Sequence, residues 1–296
     1  MAAVELFAGA GGLALGAERA RFRHVALIEW DRDACATLRQ NDEWRSVVVQ
    51  GDVRDVDFSR FRGVDLIAGG PPCQSFSTAG ERKLERDVRN MFPAAVQAVA
   101  DARPRAVLLE NVTGLVKDAA RAYFDRVRAQ IETLGYDVYW RIVNAAAHGV
   151  PQLRERVITV AFRRDVGAKW EWPTPTFPWL TVCEALAGLP PQPPPKWAHA
   201  FKGEKGIMRW TELDGQAWTI TTNPNGTFLR LREGENGHPR FRFLAIRELA
   251  RIQGFPDDWQ FVGDDHSQLR QIGNAVPPPM AHALASAVAR ALNGVV

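Results

Sequence analysis

Residues 4–13 read Val-Glu-Leu-Phe-Ala-Gly-Ala-Gly-Gly-Leu, and this stretch decides the fold. It begins as a β-rich run, passes through a glycine-rich turn and opens a helical pattern. Glycines let a ligand approach the backbone, and a helix N-terminus favours an anionic group. The stretch therefore predicts a strand over 4–8 followed by a loop for a small anionic cofactor. Nucleotide oxidoreductases, flavoproteins and plain tight turns share the pattern, so the turn alone leaves the cofactor open.

Outward from this turn, the first half of the chain alternates β-rich and helical runs. Predicted strands cover 24–30, 46–52, 64–70 and 106–112, with helices in the gaps at 32–41, 91–103 and 119–134. Such alternation implies an α/β fold with a doubly wound, Rossmann-like and mostly parallel sheet, which binds ligands at the carboxyl ends of its strands. Two further strands, 136–144 and 156–162, are close enough in sequence to form an antiparallel hairpin.

The composition changes at about residue 168. Proline-rich and turn-rich segments follow, including 172–176 and 190–195, without helical periodicity. Helical patterns return at 246–253 and 281–292. We therefore expect a catalytic and cofactor-binding domain over 1–167, a small irregular domain over 168–243, and a C-terminal segment over 244–296 that packs back on the first domain.

Composition and charge narrow the class of protein. The 296 residues are 46% hydrophobic, which is ordinary for a globular chain, and no apolar run is long enough to span a membrane, so we expect a cytoplasmic protein. Cys35, Cys73 and Cys183 lack Cys-x-x-Cys spacing, so neither a disulfide framework nor a metal site is expected. Arg outnumbers Lys, which suits contacts to phosphate and guanine but equally fits a GC-rich genome.

Two acidic residues stand at predicted strand ends. Glu29 closes the second strand, where its carboxylate can accept hydrogen bonds from both hydroxyls of a ribose, and Trp30 lies beside it. Asp52 closes the third strand and can accept from an exocyclic amine. Because these strand ends meet at one edge of the sheet, the sequence predicts that they line one crevice with the glycine loop.

The segment 69–77, Gly-Gly-Pro-Pro-Cys-Gln-Ser-Phe-Ser, directly follows the fourth predicted strand. Its two prolines forbid a helix and keep the chain extended into the crevice. An isolated intracellular cysteine usually packs as a small hydrophobic residue. The position of Cys73 after a strand end and two prolines favours instead a thiol that is presented to a ligand.

These motifs together resemble the DNA cytosine-C5 methyltransferases of bacterial restriction-modification systems. The matching segments, in the order in which that family has them, are the glycine loop, 71–74, Glu110-Asn111-Val112, 152–156, 247–256 and 273–278. The match spans most of the chain. Glu5 stands where the family usually has Asp, and His148 where an aromatic residue is common. The resemblance implies the class I methyltransferase fold, S-adenosylmethionine as cofactor, and a target-recognition role for the small domain.

The resemblance also implies a chemistry. Carbon 5 of cytosine becomes nucleophilic only after a thiolate adds to C6, which is the role of Cys73. Glu110 would donate a proton or a strong hydrogen bond at N3 and the 4-amino group, and burial would keep it protonated or proton-sharing. Gln152, Arg154 and Arg156 share one face of an extended strand. Arg156 would hold the cytosine O2 and Arg154 would position the base.

The remaining site residues follow from the loop pattern and the resemblance. The predicted cofactor-binding residues are Phe7, Gly9, Ala10, Gly11, Gly12, Glu29, Trp30, Asp52, Val53, Gly70, Pro72, Met91, Asn274, Ala275 and Val276. The predicted DNA-contacting residues are Gln74, Ser75, Ser77, Arg82, Lys83, Arg89, Gln152, Thr221, Thr222, Asn223 and Asn225. Met91 and Asn274 could instead be ordinary packing, the charged residues near 81–89 a solvated loop, and the threonines part of a tight turn.

Double-stranded DNA is the expected partner, and the target nucleotide must rotate out of the stack to be reached. We expect a monomer without membrane association, and the resemblance allows a cognate restriction endonuclease encoded nearby. Three other readings stay open: a tRNA cytosine-C5 methyltransferase of the same fold, a non-catalytic DNA-binding relative, and a nucleotide-dependent oxidoreductase. The Cys-Phe-Thr tripeptide that marks the tRNA branch is absent from the sequence.

Overall fold

The computed structural model describes residues 1–41, 43–72, 90–195, 211–223, 228–231 and 240–294. Its centre is a seven-stranded sheet in the order β3-β2-β1-β4-β5-β8-β6. The strands are β1 (Ala2–Leu6), β2 (Arg23–Glu29), β3 (Val48–Gln50), β4 (Leu66–Gly69), β5 (Ala106–Val112), β6 (Tyr136–Asn144) and β8 (Glu155–Arg163). β1 to β5 run parallel, whereas β8 pairs antiparallel with both β5 and β6. The predicted doubly wound sheet and its hairpin are confirmed.

Helices cover both faces of this sheet. They are α1 (Gly12–Arg19), α2 (Arg32–Gln40), α3 (Phe92–Ala102), α4 (Asp118–Thr133), α5 (Val182–Leu186), α6 (Ile246–Gln253), α7 (Asp265–Asn274) and α8 (Pro278–Leu292). Within β4, Leu66 and Ala68 pack into the core beneath α1 and α8, while Ile67 packs into the core beneath α3 and α4. This period of two, apolar on both sides, is what a buried parallel strand requires.

Two predicted strand boundaries move for local reasons. β1 ends at Leu6 rather than at residue 8, because the backbone of Phe7 turns to a φ of 56°. β3 covers Val48–Gln50 rather than 46–52, since Ser46 ends a 3-10 turn and Asp52 caps another at Val53–Asp55. The helix α8 begins at Pro278 rather than at residue 281. Proline is tolerated there because the first N–H groups of a helix have no partner within the helix, so the missing N–H costs nothing.

Helix α8, near the end of the chain, packs against α1. Gly16 of α1 meets α8 so closely that a methyl group there would lie 2.4 Å from Cβ of Ala281. Two small sheets accompany the main one: β7 (Gln152–Leu153) pairs parallel with β9 (Ala217–Trp218), and β10 (Phe228–Leu231) pairs antiparallel with β11 (Arg240–Phe243). Within the described ranges, no helix has the length and apolar character needed to cross a membrane.

Candidate active site

The glycine loop joins β1 to α1 at the carboxyl edge of the sheet. Gly9 has a φ of 54°, and a methyl group on it would meet no atom within 4 Å. Gly11, with a φ of 84°, has no such room, because a methyl group would lie 2.7 Å from the Trp44 ring. At Gly12 it would lie 2.3 Å from the carbonyl oxygen of Val276. The loop is thus tightly supported from below and open above Gly9, which is the shape of a cradle for a ligand.

Glu29 lies beside this cradle with its carboxylate already engaged. The backbone N–H of Gly9 donates to Oε2 at 2.7 Å, and those of Trp30 and Asp31 donate to Oε1 at 2.8 Å. Burial raises the pKa of Glu29, and the three amides act in the opposite direction. A carboxylate offers about four accepting positions, so roughly one remains for a ribose hydroxyl rather than two. Trp30, the residue that follows Glu29, is 78% exposed.

Asp52 reaches the same edge but is paired with its own neighbour. Its carboxylate accepts from the Arg54 side chain, at 3.0 Å from Nε and 2.5 Å from Nη2, and from the Arg54 backbone N–H at 2.9 Å. These bonds, led by the side-chain contact, lower the pKa of Asp52. Val53 beside it is buried. By the same count of about four accepting positions, roughly one remains on Oδ2 of Asp52 for an exocyclic amine.

The predicted nucleophile segment leaves the sheet at the end of β4. Asn111 is buried at the end of β5 and its Nδ2 donates to the carbonyl of Pro71 at 2.8 Å. The carbonyl of Pro72 accepts from the backbone N–H of Met91 at 3.4 Å. Both sides of the segment 73–89 are therefore tied to the fold. Cys73, Gln74, Ser75, Ser77, Arg82, Lys83 and Arg89 lie outside the described residues.

An ion pair stands next to the start of this segment. Oε1 of Glu110 lies 2.8 Å from Nε of Arg156, and the two side chains are only 11% and 12% exposed. β5 and β8 bring them together. Val112 is the register partner of Arg156, and Glu110, two residues before Val112, lies on the same face of β5. A methyl group on Gly70 would lie 3.2 Å from Oε2 of Glu110, so the carboxylate sits directly over the backbone that leads to the Pro-Pro-Cys sequence. The two predicted base-contacting residues thus form one charged pair at the crevice.

Arg154 does not join that pair, which corrects the expectation that two guanidiniums meet one base. It is 1% exposed, and its guanidinium donates to the backbone carbonyls of Ile220 at 3.1 Å, Gly273 at 2.9 Å and Ala275 at 3.0 Å. Burial, helped by the charge of Arg156, lowers the pKa of Arg154 to about 9. The side chain therefore ties the chain just after β9 to the end of α7.

Gln152 is likewise buried, so its predicted contact with DNA is also corrected. Its Oε1 accepts from the backbone N–H of Ile220 at 3.0 Å, and its Nε2 donates to Gln253 at 2.7 Å. Gln253 in turn donates to the carbonyl of Ala275 at 2.7 Å. We call Gln152, Arg154 and Gln253 the buried clamp. The physical reason for both corrections is that β7 pairs with β9 and β8 with the main sheet, so the chain changes partners at Arg154.

The clamp fixes two segments that the sequence predicted to bind ligands. Thr221, Thr222 and Asn223 are exposed and form a turn in which Oγ1 of Thr221 contacts the backbone of Asn223 at 3.3 Å. A methyl group on Gly273 would lie 2.7 Å from the Thr221 carbonyl, so this turn rests on the C-terminal segment. In that segment Asn274 is exposed, while Ala275 and Val276 are buried against the glycine loop. Asn225 lies outside the described residues.

Sequence reasoning missed three residues that organise the site: Asn111, Gln253 and Arg54. Asn111 and Gln253 lie within quoted motifs, but their partners are 40 and 101 residues away in sequence, so their contacts had no local signal. Arg54 did have one, because a basic residue two positions after an N-capping aspartate is within reach of its carboxylate.

Known proteins match this chain over nearly its full length. It fits the family described as C-5 cytosine-specific DNA methylase over residues 1–182 and 196–290. Type II methyltransferase M.NgoMIV of Neisseria gonorrhoeae is 40% identical, with 98% of this chain and 97% of that protein covered. Type II methyltransferase M.Eco47II of Escherichia coli is 36% identical, with 98% and 79% covered.

Solved structures give the same fold. A DNA modification methyltransferase encoded within an E. coli prophage has a TM-score of 0.78 at 24% identity, and S. pombe Dnmt2 has 0.75 at 17%, each covering 99% of both chains. Identities this low establish the fold alone. The family match and the type II relatives agree. The chain therefore belongs to the C-5 cytosine-specific DNA methylases, enzymes that add a methyl group to carbon 5 of cytosine in DNA.

Proposed function

We propose that this chain takes the methyl group from S-adenosylmethionine and passes it to a cytosine rotated out of duplex DNA, through a covalent bond between Cys73 and C6 of the base. The observation that carries the proposal is the Glu110–Arg156 ion pair beside Gly70. It puts a carboxyl group and a guanidinium at the backbone that leads to Cys73, on the sheet edge that holds the glycine loop.

The crevice residues fit the proposed cofactor. When bound, S-adenosylmethionine supplies a methyl group on a positively charged sulfur, which no amino-acid side chain offers. The open space above Gly9 accepts a ligand close to the backbone, and Glu29 keeps roughly one acceptor position for a ribose hydroxyl. The exposed Trp30 ring offers an apolar face to an adenine. Ala275 and Val276 close the loop from the other side.

The reaction begins with the thiolate of Cys73, which adds to C6 of the cytosine. The electron pair of the C5–C6 double bond moves through C4 toward N3, where Glu110, which enters this step protonated rather than as the carboxylate of the ion pair, donates a proton. C5 is then electron-rich enough to take the methyl group. A base or a water molecule next removes the proton from C5, N3 returns its proton to Glu110, the C5–C6 double bond forms again, and the bond between sulfur and C6 breaks to free Cys73 as a thiolate.

Arg156 serves this sequence in two ways. Its Nε holds the Glu110 carboxyl group at 2.8 Å, and its Nη1 donates to the carbonyl of Glu155 at 2.8 Å, so the guanidinium is fixed before a base enters. The remaining N–H groups can donate to O2 of the cytosine. Fixed donors stabilise charge on the ring without reorganising during the reaction. Arg154 acts at a distance, by holding the segments around the crevice through the buried clamp.

Recognition of duplex DNA is assigned to the exposed turn Thr221–Asn223, whose hydroxyl and amide groups can donate and accept at base edges. The division into 1–167, 168–243 and 244–296 gives this turn its own small domain. We further propose that the enzyme works as a cytoplasmic monomer and that a paired restriction endonuclease recognises the same sequence, as the type II names of its relatives suggest.

The test is transfer of a tritiated methyl group from S-adenosylmethionine to unmodified duplex DNA and, in parallel, to bulk tRNA, with bisulfite sequencing of the DNA product. Cys73→Ala should abolish transfer. Cys183→Ala is the matched control, because Cys183 is an exposed thiol outside the crevice, and it should keep full activity.

Label fixed as 5-methylcytosine in one short DNA sequence would support the proposal and identify the site. Label only in tRNA would assign the same chemistry to RNA. Turnover by Cys73→Ala would rule out the covalent route.

A further inference from the structure

A buried charged cluster supports the glycine loop from below. Nε2 of His24 lies 3.4 Å from Oε2 of Glu5, and its Nδ1 lies 3.5 Å from Oε1 of Glu18. Oε1 of Glu18 also accepts a hydrogen bond from Nε1 of Trp44. The side chains of His24 and Glu5 are 0% and 2% exposed. We call Glu5, His24, Glu18 and Trp44 the His24 network.

Both ends of the His24 network touch the proposed cofactor loop. Glu5 lies on β1, just before the loop, where burial raises the pKa of its carboxyl group and the backbone N–H of Ala14 in the first turn of α1 acts in the opposite direction. At the other end the Trp44 ring packs under Gly11, where a methyl group would come within 2.7 Å of it. Trp44 also packs edge-on against Trp259 at 5.5 Å, which joins the loop to the C-terminal segment.

We propose that His24 is a positioning residue for cofactor binding: its imidazolium holds Glu5 on one side and Glu18 on the other, and so fixes the glycine loop in the shape that receives the cofactor. The inference rests on the proposed S-adenosylmethionine site. None of the four side chains is asked to touch the cofactor. Their effect is on the shape of the loop, and a preorganised loop binds more tightly because less ordering is required on binding.

The charge of His24 is what holds the cluster together. Among the described residues, the charged groups that face it are Glu5 on β1 and Glu18 on α1. Burial opposes a charged ring, but these two carboxylates outweigh it and raise the pKa of His24 to about 9. Without the cation, Glu5 would be a buried carboxylate facing a second one, and one of them would have to take up a proton or move.

The experiment is calorimetric titration of the full-length, DNA-free protein with S-adenosylhomocysteine, for wild type and His24→Gln at pH 7.5. We expect about tenfold weaker binding by His24→Gln, because the variant lacks the cation that holds both Glu5 and Glu18. His282→Gln is the matched control, because His282 is an exposed histidine on α8, and its affinity should equal that of wild type. Trp44→Phe removes the donor to Glu18 but keeps an aromatic ring under Gly11, so it tests the same linkage without removing a charge.

Two further readouts separate positioning from a general loss of stability. In methyl transfer, His24→Gln should raise KM for S-adenosylmethionine about tenfold while kcat at saturating cofactor stays within about twofold. Between pH 7.5 and 9.5 wild type should lose affinity for S-adenosylhomocysteine relative to the double variant Glu5→Gln/His24→Gln, which lacks both titrating partners.

If folded His24→Gln and folded Trp44→Phe both bound S-adenosylhomocysteine with the affinity of wild type, the role of His24 would be overturned and the proposed cofactor site would stand. No binding by wild type would refute the cofactor site itself, and the inference with it. A fall in kcat at an unchanged KM would also overturn it, because it would place His24 in the chemical step.

Discussion

Replacing Arg154 by Met should lower the stability of the protein, whereas the same change at Arg156 should stop methyl transfer. Arg154 donates to three backbone carbonyls and is 1% exposed, so Arg154→Met leaves the carbonyls of Ile220 and Gly273 without this donor, whereas Gln253 still donates to that of Ala275. An orphaned buried acceptor costs about 1–3 kcal/mol, but the variant also avoids burying a charge. With two such acceptors, offset in part by the charge that is no longer buried, we expect a net loss of about 2–4 kcal/mol from the free energy of unfolding, a large part of the roughly 5–15 kcal/mol that stabilises a domain.

The assay is urea denaturation followed by tryptophan fluorescence, with methyl transfer measured on the same preparations. Arg156→Met is the matched control, since it sits two residues along, is 12% exposed and has its ion pair with Glu110 at the crevice. It should lose at most about 1–2 kcal/mol of stability and about 10²-fold or more in kcat. If Arg154→Met unfolded like wild type and lost only turnover, the buried clamp would be refuted and Arg154 would return to the base.

Three further predictions follow from the same crevice. Gly12→Ala should lower the free energy of unfolding in urea by about 1–3 kcal/mol, because its methyl group meets the Val276 carbonyl. Gly9→Ala should lower it by about 1–2 kcal/mol, because its backbone is left-handed, and should weaken S-adenosylhomocysteine binding more than Gly12→Ala does. Equal binding by the two variants would contradict the cradle. Glu110→Gln should lower the rate of single-turnover methylation by about 10²–10⁴-fold, while its DNA affinity in gel shifts stays within a few-fold of wild type. Weakened DNA affinity with a nearly unchanged rate would remove its proton-donor role. The pKa of His24 is raised to about 9 from 6.5, so its charge contributes stability that is complete below pH 6.5 and gone once the pH passes about 9. Urea denaturation should therefore show the stability of wild type declining over this pH range relative to Glu5→Gln/His24→Gln. Parallel curves of stability against pH for the two proteins would disprove it.

The strand face of residues 152–156 shows where sequence reasoning stopped. A period of two correctly grouped Gln152, Arg154 and Arg156 as long polar side chains in an extended segment. It could not tell that β7 and β8 belong to different sheets, so that only Arg156 faces the crevice. The same limit applies to Asp52, whose strand-end position was visible in the sequence but whose carboxylate is engaged by Arg54.

Local patterns in the sequence determined the alternation of strands and helices, the glycine loop, the hairpin of β6 and β8, and the set of polar residues at strand ends, because each depends on neighbours within a few residues. Only the tertiary structure decided which of those polar residues remain open to a ligand. The partners of Arg154 lie 66, 119 and 121 residues away in sequence, and those of Gln152 and Asn111 are similarly remote. A buried donor must find an acceptor wherever the fold brings one. That pairing turned two residues expected to contact the base and the DNA into the clamp that holds the crevice in place.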